Sequence, residues 1–338
     1  MKPLVSILIP AYNAQEWIAD TIQSALGQTW ARREIIVVDD GSRDRTAAIA
    51  RRFASRKVEV LTQDNQGPAA ARNTALTVAQ GDYIQWLDAD DLLAADKVEM
   101  QMEVAERLQD PRILYSGAWG YFFYRTSRAE FTPTALWCDL SPVEWLTRKL
   151  AQNLHMQTDS WLVSRELTEA AGPWDTRLAR DNDGEYFCRV ILASKGVRFI
   201  PGARSYYRRS GAGSVAHIGR SNTKRESLFL SMQLHMDYLR SLEDSPETRE
   251  ACVRYMQTWL PWFYGQRVDI ERQLEQLAAE LGGRLERPRF PWKYAWIERV
   301  LGWRIARETK LLMPQLRENA GRLWDRMWFQ LRERRAAG

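Results

Sequence analysis

The most distinctive polar cluster in the sequence consists of Asp88, Asp90 and Asp91, which follow directly after a short apolar run. On an extended turn, alternate carboxylates such as those of Asp88 and Asp90 can point the same way and hold a divalent cation that bridges a diphosphate. Oxygen ligands of this kind suit Mg²⁺ or Mn²⁺. The alternative is that Asp-x-Asp-Asp forms only a turn and a helix N-cap, because short motifs often occur by chance.

The cluster follows the fourth of four apolar runs that alternate with helical segments. The runs lie at residues 4–10, 34–38, 58–61 and 83–87. This alternation predicts βαβ units and a parallel sheet, in which ligands bind outside the carboxyl ends of the strands. The polar residues at these ends are therefore expected to converge on one rim: Tyr12, Asn13, Asp39, Asp40, Asp64, Asn65, Asp88, Asp90 and Asp91.

Local signals predict where further elements begin and end. Asn13 with Glu16 three residues later has the spacing of a capping box, and Gly27 is expected to end the first helix. Later segments are predicted as follows: helices at 97–108, 141–171 and 183–194, strands within 112–138 and at 197–200 and 203–208, and a flexible loop at 211–219. After residue 220 the pattern is helical, with interruptions near 245–246, 282–283, 288–291 and Pro314.

Composition predicts a folded protein and excludes several classes. Of 338 residues, 45% are hydrophobic and 27% charged, near globular averages, so a disordered or low-complexity chain is not expected. Neither a membrane-spanning run nor a signal peptide is readable. Three widely spaced cysteines fit neither a disulfide framework nor a zinc site, and are interpreted as reduced thiols of a cytoplasmic protein. No Walker A or G-x-S-x-G string occurs.

Five blocks in the same order resemble the family 2 glycosyltransferases. They are VSILIPAYN at 5–13, IIVVDDGSRDRT at 35–46, NQGPAAARN at 65–73, GDYIQWLDADD at 81–91 and GPWDTRLARDNDGEYFCRV at 172–190. The resemblance implies an α/β fold of the GT-A type, with a Rossmann-like, mostly parallel sheet flanked by helices and a helical C-terminal region. It divides the chain into a catalytic domain at 1–220 and a helical, basic, Trp-rich region at 221–338.

Site residues follow from the resemblance, block by block. Pro10 and Tyr12 are expected in the nucleotide cradle, with the Tyr12 ring against the base. Asp40 is expected to accept a hydrogen bond from the nucleotide base. Asp39 is expected either to contact the base as well or to have only a structural role. The remaining donor-side expectations are Arg72 near the donor, Asp88 at the ribose or sugar, and Asp90 at a Mn²⁺ or Mg²⁺ ion beside the diphosphate; a surface role is the alternative for Arg72.

The catalytic base is expected near the start of the fifth block. The family pattern has a base Asp with an Arg six residues later, which Asp183 and Arg189 reproduce, although Asn182 stands where Glu is common. Asp181 is therefore a competitor, with Asp183 preferred on spacing. His155 is expected to line the acceptor side and His217 to lie in the loop, neither as a catalytic group.

The C-terminal region is unusually basic and aromatic. Residues 284–338 contain 14 Lys/Arg and 6 Asp/Glu, whereas the whole chain has a net charge of only +5. Near its end, apolar residues recur at helical spacing with Arg around them, among them Leu323, Trp324, Met327, Trp328 and Leu331. Such a helix packs on the catalytic domain or on a second subunit, or lies peripherally on an anionic membrane surface. Nucleic-acid binding is not expected, because no nucleic-acid-binding motif accompanies the charge.

The sequence thus predicts an inverting, metal-dependent glycosyltransferase of the hexosyltransferase type. The expected donor is a nucleoside diphosphate sugar, with UDP as the default, and the expected acceptor is a hydroxyl of a glycan, a lipid-linked intermediate or a protein. Two rivals are a nucleotidyltransferase that makes sugar nucleotides and a non-catalytic nucleotide-binding module. The first should carry a Gly-rich phosphate loop after the first strand, and residues 10–13 offer none.

Overall fold

The computed structural model describes residues 2–210, 221–289 and 291–336. A five-stranded sheet forms its centre, in the order β3-β2-β1-β4-β8, with β1 to β4 parallel and β8 antiparallel. Its strands are β1 (Val5–Ala11), β2 (Arg33–Asp40), β3 (Val58–Gln63), β4 (Tyr83–Trp86) and β8 (Val163–Ser164). Every residue of β1 is buried, as expected for a strand covered on both faces. The predicted parallel sheet is confirmed.

Three crossover helices connect the parallel strands: α1 (Ile18–Leu26), α2 (Thr46–Arg51) and α3 (Pro68–Val78). α3 begins with Pro68 directly after Gly67, whose φ of 91° favours glycine. Proline suits this position because its missing N–H would have no partner in the first turn. The chain therefore turns sharply at Gly67, and α3 runs away from the edge of the sheet where the strands end.

A second, four-stranded sheet has the order β5-β9-β6-β7. Its strands are β5 (Leu92–Leu93), β6 (Ile113–Phe122), β7 (Glu130–Phe131) and β9 (Gly196–Arg208). The two strands expected at 197–200 and 203–208 are one continuous strand, whose register with β6 shifts between Gly117 and Trp119. A Cβ on Gly117 would lie 2.0 Å from the Ala203 carbonyl oxygen, so only glycine fits at this irregularity.

The helix expected at 141–171 is instead two helices separated by a turn and a short strand. α5 (Pro142–Gln152) starts at a capping box of Ser141 and Glu144, and Asn153 with a φ of 51° ends it. β8 and α6 (Arg165–Ala171) follow, and Ser164 caps α6. The other helices of this half are α4 (Lys97–Leu108) and α7 (Asn182–Ala193).

The C-terminal region is helical, as expected. It contains α8 (Asn222–Leu242), α9 (Pro246–Trp259), α10 (Val268–Glu280) and α11 (Trp292–Ala336). The interruption expected at Pro314 is wrong, since the backbone stays helical through that position; α11 breaks at Gly302, whose φ of 81° is readily adopted only by glycine. No helix among the described residues is long and apolar enough to cross a bilayer.

Aromatic packing joins the sheet to the helices that follow it. Trp174 and Tyr186 stack with ring centroids 4.0 Å apart, and Trp86 meets both rings edge-on. Such pairs contribute about 0.5–1.5 kcal/mol beyond their buried area. The same hydrophobic cluster continues through α5 and α7 into α8, α9 and α10. The core therefore fixes α7, which carries the proposed base, against β4, which carries the acidic cluster.

Candidate active site

The loops after β1 and β2 are tied together by Asn13. Its backbone N–H donates to Ser42 Oγ (2.9 Å), and its side-chain Oδ1 accepts from the Arg43 N–H (2.9 Å). Asn13 has a φ of 50° and does not cap α1, which begins only at Ile18. The predicted capping box at Asn13 is therefore wrong, because asparagine uses its amide to bridge two loops instead. Tyr12, beside it, is 46% exposed at the rim.

The two carboxylates that end β2 have different partners. Both are buried. Asp40 accepts three hydrogen bonds, from Gln63 Nε2 (2.7 Å) and from the backbone N–H groups of Gln66 (3.0 Å) and Gly67 (2.8 Å). Asp39 accepts one, from the Ser42 N–H (3.3 Å), and its Oδ1 has no partner among the described residues. Asp40 thus holds the loop after β3, and Asp39 has an acceptor to spare.

Arg72 connects three elements at the rim. From α3, its guanidinium donates to Asp88 Oδ1 (2.6 Å) after β4 and to Asn182 Oδ1 (3.2 Å) on α7. It also lies over the Trp174 ring, 4.3 Å from the centroid, a cation–π arrangement. Arg72 is buried, so the surface role considered from the sequence does not apply. The structure places Arg72 and Asp88 together, as a donor-site role for both requires.

Asp90 and Asp91 are held by Arg208 at the end of β9. The Arg208 N–H donates to Asp91 Oδ1 (2.7 Å), and its Nε donates to the Asp90 carbonyl oxygen (2.7 Å). Burial, and secondarily the nearby Asp88, raise the pKa of Asp90. Asp91 is fully buried and its Oδ2 has no partner among the described residues; burial and the adjacent Asp90 hold its pKa well above the ordinary value. Carboxylates this crowded favour a nearby cation.

The donor set fits a metal that takes part of its ligands from substrate. Among the described residues, no group of three or more His, Cys, Asp or Glu side chains could hold an ion alone. Mg²⁺ is commonly held by one or two carboxylates together with substrate phosphates, which matches Asp90 with Asp88 beside it. A metal ion at this site would therefore need ligands both from the carboxylates of the acidic cluster and from a bound diphosphate.

Asp181 and Asp183 lie at the start of α7 in opposite electrostatic environments. Asp181 Oδ2 accepts from Ser231 Oγ (2.9 Å) and lies 4.0 Å from His235 Nε2, both on α8. His235, Lys149 and Arg180 lower the pKa of Asp181 despite the opposing effect of its burial. Burial, then Asp181, raises the pKa of Asp183, while Arg72 opposes that rise. Asp181 is thus anchored to α8 in its charged form, and Asp183 is the more basic carboxylate near Arg72.

Two further residues fix the start of α7. A Cβ on Gly184 would lie 2.2 Å from Asp181 Oδ1, so this glycine allows Asp181 to fold back onto the helix. Arg189 donates to Glu185 through Nε (2.6 Å) and to the Pro173 carbonyl oxygen (2.8 Å). The arginine six residues after Asp183 is therefore a structural residue that locks the preceding loop onto α7.

An aromatic wall borders the acidic cluster. Trp119, Tyr121 and Tyr207 pack edge-to-face, and the exposed His155 ring lies 5.2 Å from the Trp119 ring. Desolvation, then nearby Lys149, lowers the pKa of His155, which Asp183 opposes. His155 is therefore within electrostatic range of Asp183, and its role at the acceptor side stays a prediction. His217 lies outside the described residues.

Sequence reasoning missed several residues that build this site. Arg208, Ser231 and His235 contact the predicted residues Asp90, Asp91 and Asp181, and the hydrogen bond from Arg72 to Asn182 was not foreseen either. Ser231 and His235 lie about fifty residues from Asp181, on a helix whose pairing with α7 no local pattern reveals. For Arg208 the available signal was its position at the end of an aromatic-rich strand, next to residues 211–219, which were expected to form a flexible loop and lie outside the described residues.

Comparison with known proteins agrees with this geometry. Residues 6–161 match the family model described as glycosyl transferase family 2. An uncharacterized glycosyltransferase of Haemophilus influenzae is 35% identical over 48% of this chain and 63% of its own length. The Escherichia coli UDP-Glc:alpha-D-GlcNAc-diphosphoundecaprenol beta-1,3-glucosyltransferase WfgD is 44% identical over 30% of this chain and 40% of its own length. The chain thus spans less than two thirds of these curated relatives.

A solved structure confirms the fold. Staphylococcus aureus TarS 1-349 in complex with UDP-GlcNAc superposes with a TM-score of 0.66, at 16% identity, over 83% of this chain and 80% of that chain. The expected GT-A architecture with a helical C-terminal region is confirmed at the level of the fold.

Proposed function

We propose that this chain is a family 2 glycosyltransferase and that it transfers a sugar, with inversion, from a UDP-linked donor to an acceptor hydroxyl. The observation that carries the proposal is the position of Arg72, which pairs with Asp88 after β4 and donates to Asn182 on α7, the helix that bears Asp183. Donor-binding and base carboxylates thereby meet at one rim of a parallel sheet, where ligands of such sheets bind.

We assign the nucleotide to the ends of β1 and β2. The exposed Tyr12 ring offers a stacking surface for the base, beside Pro10. Asp39 pairs in register with Ala11, next to Tyr12, and its buried Oδ1 has no partner among the described residues, so we assign this oxygen to a base N–H. Asp40, expected from the resemblance to make that contact, is already bonded three times, so we assign it to positioning the loop. The UDP-GlcNAc complex of TarS and the UDP-Glc in the name of the E. coli relative support UDP.

We assign Asp88 to the donor ribose or sugar and Asp90 to a Mn²⁺ or Mg²⁺ ion. Such an ion, when bound, supplies positive charge that stabilises the diphosphate leaving group. Arg72 neutralises part of the charge of Asp88 and Asp183 from the protein side.

Asp183 is proposed to act as the general base. Its carboxylate takes the proton from the acceptor hydroxyl as that oxygen forms a bond to the anomeric carbon. The bond from the anomeric carbon to the phosphate oxygen breaks, and the nucleoside diphosphate leaves with the electron pair. A raised pKa suits this role because a more basic carboxylate accepts the proton more readily.

The acceptor is proposed to bind against the accessible part of the aromatic wall, formed by Tyr121, Tyr207 and His155 over the buried Trp119. Flat aromatic faces near the proposed catalytic base, Asp183, suit a sugar ring presented by a glycan or a lipid-linked saccharide. The diphosphoundecaprenol-linked acceptor in the E. coli relative's name supports the lipid-linked form. A protein acceptor and a homo-oligomer stay predictions.

A thermal-shift panel of UDP, GDP, TDP and CDP, each with Mn²⁺, Mg²⁺ or EDTA, tests the donor site. We expect UDP to stabilise the protein only with metal, by about 2.7 kcal/mol at a concentration 100 times its Kd. Asp90→Asn should remove the metal-dependent part, whereas Asp96→Asn, at an exposed position that starts α4, should not. Equal stabilisation of the Asp90→Asn protein and the wild type would contradict the assignment of Asp90, and no stabilisation by any nucleotide would contradict the donor site.

A further inference from the structure

The last part of α11 is docked by its polar side. Asp325 accepts from the backbone N–H groups of Tyr124 (3.0 Å) and Arg125 (3.2 Å), and pairs with the Arg125 guanidinium at 2.6 Å. Arg322 donates to the Ser210 carbonyl oxygen (2.8 Å) at the end of β9. The Phe329 ring also packs on the Tyr124 ring, with centroids 5.9 Å apart, so the helix is attached to the catalytic domain by charged groups and one aromatic pair.

Its apolar side faces outward. We call Leu323, Trp324, Met327, Trp328 and Leu331 the outer face of α11; they are 64%, 61%, 45%, 42% and 44% exposed. A helix that packs on a core normally buries its apolar stripe and exposes its charges. This helix does the reverse, and a contiguous exposed apolar stripe marks an interaction site. The first segment of α11 adds Trp292, Trp296 and Val300, which are also exposed.

The net charge of the C-terminal region indicates which kind of partner binds the outer face. Residues 284–338 contain eight more basic than acidic residues, as 14 minus 6. A second copy seated on this face would bring two such segments together, which like-charge repulsion opposes. An anionic lipid surface attracts them instead, by about 1 kcal/mol for each Lys or Arg near the surface. Trp at the edge of an apolar helix face is typical of helices that lie in the membrane interface.

We propose that the outer face of α11 binds peripherally to an anionic lipid bilayer. The apolar side chains enter the boundary between headgroups and acyl chains, while the polar side keeps the catalytic domain attached through Asp325 and Arg322. The bilayer then lies on the side of α11 that faces away from Ser210 and the end of β9. This surface binding does not depend on the transfer reaction, so the two proposals can fail separately.

Co-sedimentation of the full chain with phosphatidylcholine vesicles, with and without about 30 mol % phosphatidylglycerol, tests the proposal. We expect binding to the anionic vesicles, weaker at high salt because the charge attraction is screened. The triple variant Trp324→Ser/Trp328→Ser/Leu331→Ser should bind roughly tenfold less tightly. Val268→Ser, which removes an exposed apolar side chain from α10, is the matched control and should bind like the wild type.

Sedimentation velocity and the UDP thermal shift are measured on the same proteins. They establish that the triple variant is folded, as expected since all three side chains are exposed. Wild-type binding that the triple variant retains, or no binding to anionic vesicles, overturns the proposal. A wild-type dimer that the triple variant converts to a monomer would assign the face to a second copy and would also overturn it.

Discussion

At the scale of single residues, Asp181 and Asp183 show how environment divides the roles of two nearby carboxylates. Asp181 receives a hydrogen bond from Ser231 and faces His235, which favours its charged form. Asp183 is desolvated, faces like charge from Asp181 and has Arg72 nearby. A carboxylate committed to structural contacts is a poor proton acceptor, whereas a desolvated one is suited to general-base catalysis. The environment therefore supports the choice of Asp183 that the spacing to Arg189 indicated.

Asp183→Asn is expected to lower kcat by about 10²–10⁴-fold, because the amide cannot accept the hydroxyl proton. UDP binding, followed by calorimetry with Mn²⁺, should be nearly unchanged. In the wild type, kcat should fall as pH falls through the raised pKa of Asp183, since the protonated carboxyl is inactive. The acidic limb of the pH profile measures that pKa.

Asp181→Asn is the matched comparison for this prediction. Loss of its charge near Lys149 and Arg180 should lower the free energy of unfolding, whereas kcat should fall much less than in Asp183→Asn. If Asp181→Asn were inactive but stable, and Asp183→Asn kept wild-type turnover, the base would be Asp181.

At the scale of elements, the first half of the chain was predictable because its signals are local. Buried parallel strands appear as short apolar runs, and Pro and Gly mark the turns between them. β1 to β4, α4 and α7 lie close to the predicted bounds for this reason. The split of 141–171 was not predicted, since β8 is only two residues long and exists because it pairs with β4.

The positions of the candidate site residues were predictable to the same extent, whereas their roles stay predictions. Sheet topology and motif blocks brought Tyr12, Asp40, Asp88 and Asp90 to one rim, and the structure has them there. The difference between Asp39 and Asp40 could not be predicted from the sequence, because it depends on hydrogen bonds that residues 63–67 donate to Asp40. The capping box at Asn13 was wrongly predicted because asparagine, which favours helix N-caps, also tolerates a left-handed backbone conformation. In that conformation Asn13 connects two loops by hydrogen bonds.

The packing of α8 on α7 makes folding stability depend on pH. Burial lowers the pKa of His235 to about 4, from an ordinary 6.5, so the folded state disfavours its charged form. A folded-state pKa below the unfolded one means that stability present above pH 6.5 is lost as pH falls toward 4. The shift corresponds to about 3 kcal/mol. His235→Gln should remove this part of the pH dependence, as measured by urea unfolding between pH 4 and 8.

Among the other groups, His155 acts in the same direction because desolvation also lowers its pKa, so His235→Gln should remove only its own part of the slope. Asp159 has its pKa raised to about 7 by burial, so its contribution to stability is lost as pH rises, in the opposite direction. The lowered pKa of Asp181 acts at more acidic pH than the His235 window. An unchanged slope between pH 6.5 and 4 in His235→Gln would show that His235 is charged in the folded protein.

At the scale of the whole molecule, the hydrophobic core does not stop at the boundary predicted at residue 220. Leu228, Met232, Tyr255 and Leu274 belong to the same buried cluster as Trp86 and Trp174. Helices α8 to α10 therefore support the catalytic rim, and the two-domain division stays a prediction. α11 differs from them because the contacts near its end are mainly polar, through Asp325, Arg322 and Arg326.

This difference predicts that α11 can detach without unfolding the rest. Asp325→Asn removes the charge that Arg125 pairs with and weakens acceptance from the Tyr124 and Arg125 N–H groups, a loss of about 1–3 kcal/mol. Amide hydrogen exchange should become roughly 5–150-fold faster in residues 321–331 and 124–125, the range to which that free energy corresponds. Exchange in β1 and β4 should stay unchanged, because those strands unfold only with the core.

Asp237→Asn, an exposed substitution on α8, controls for the loss of one charge and should change neither region. If Asp325→Asn accelerated exchange in the central sheet as much as in α11, the helix would be part of the cooperative core. Local opening would instead mean that the catalytic rim and the outer face of α11 are held together mainly by a few charged contacts. Salt should then loosen the attachment of the helix, whereas the core beneath it stays intact.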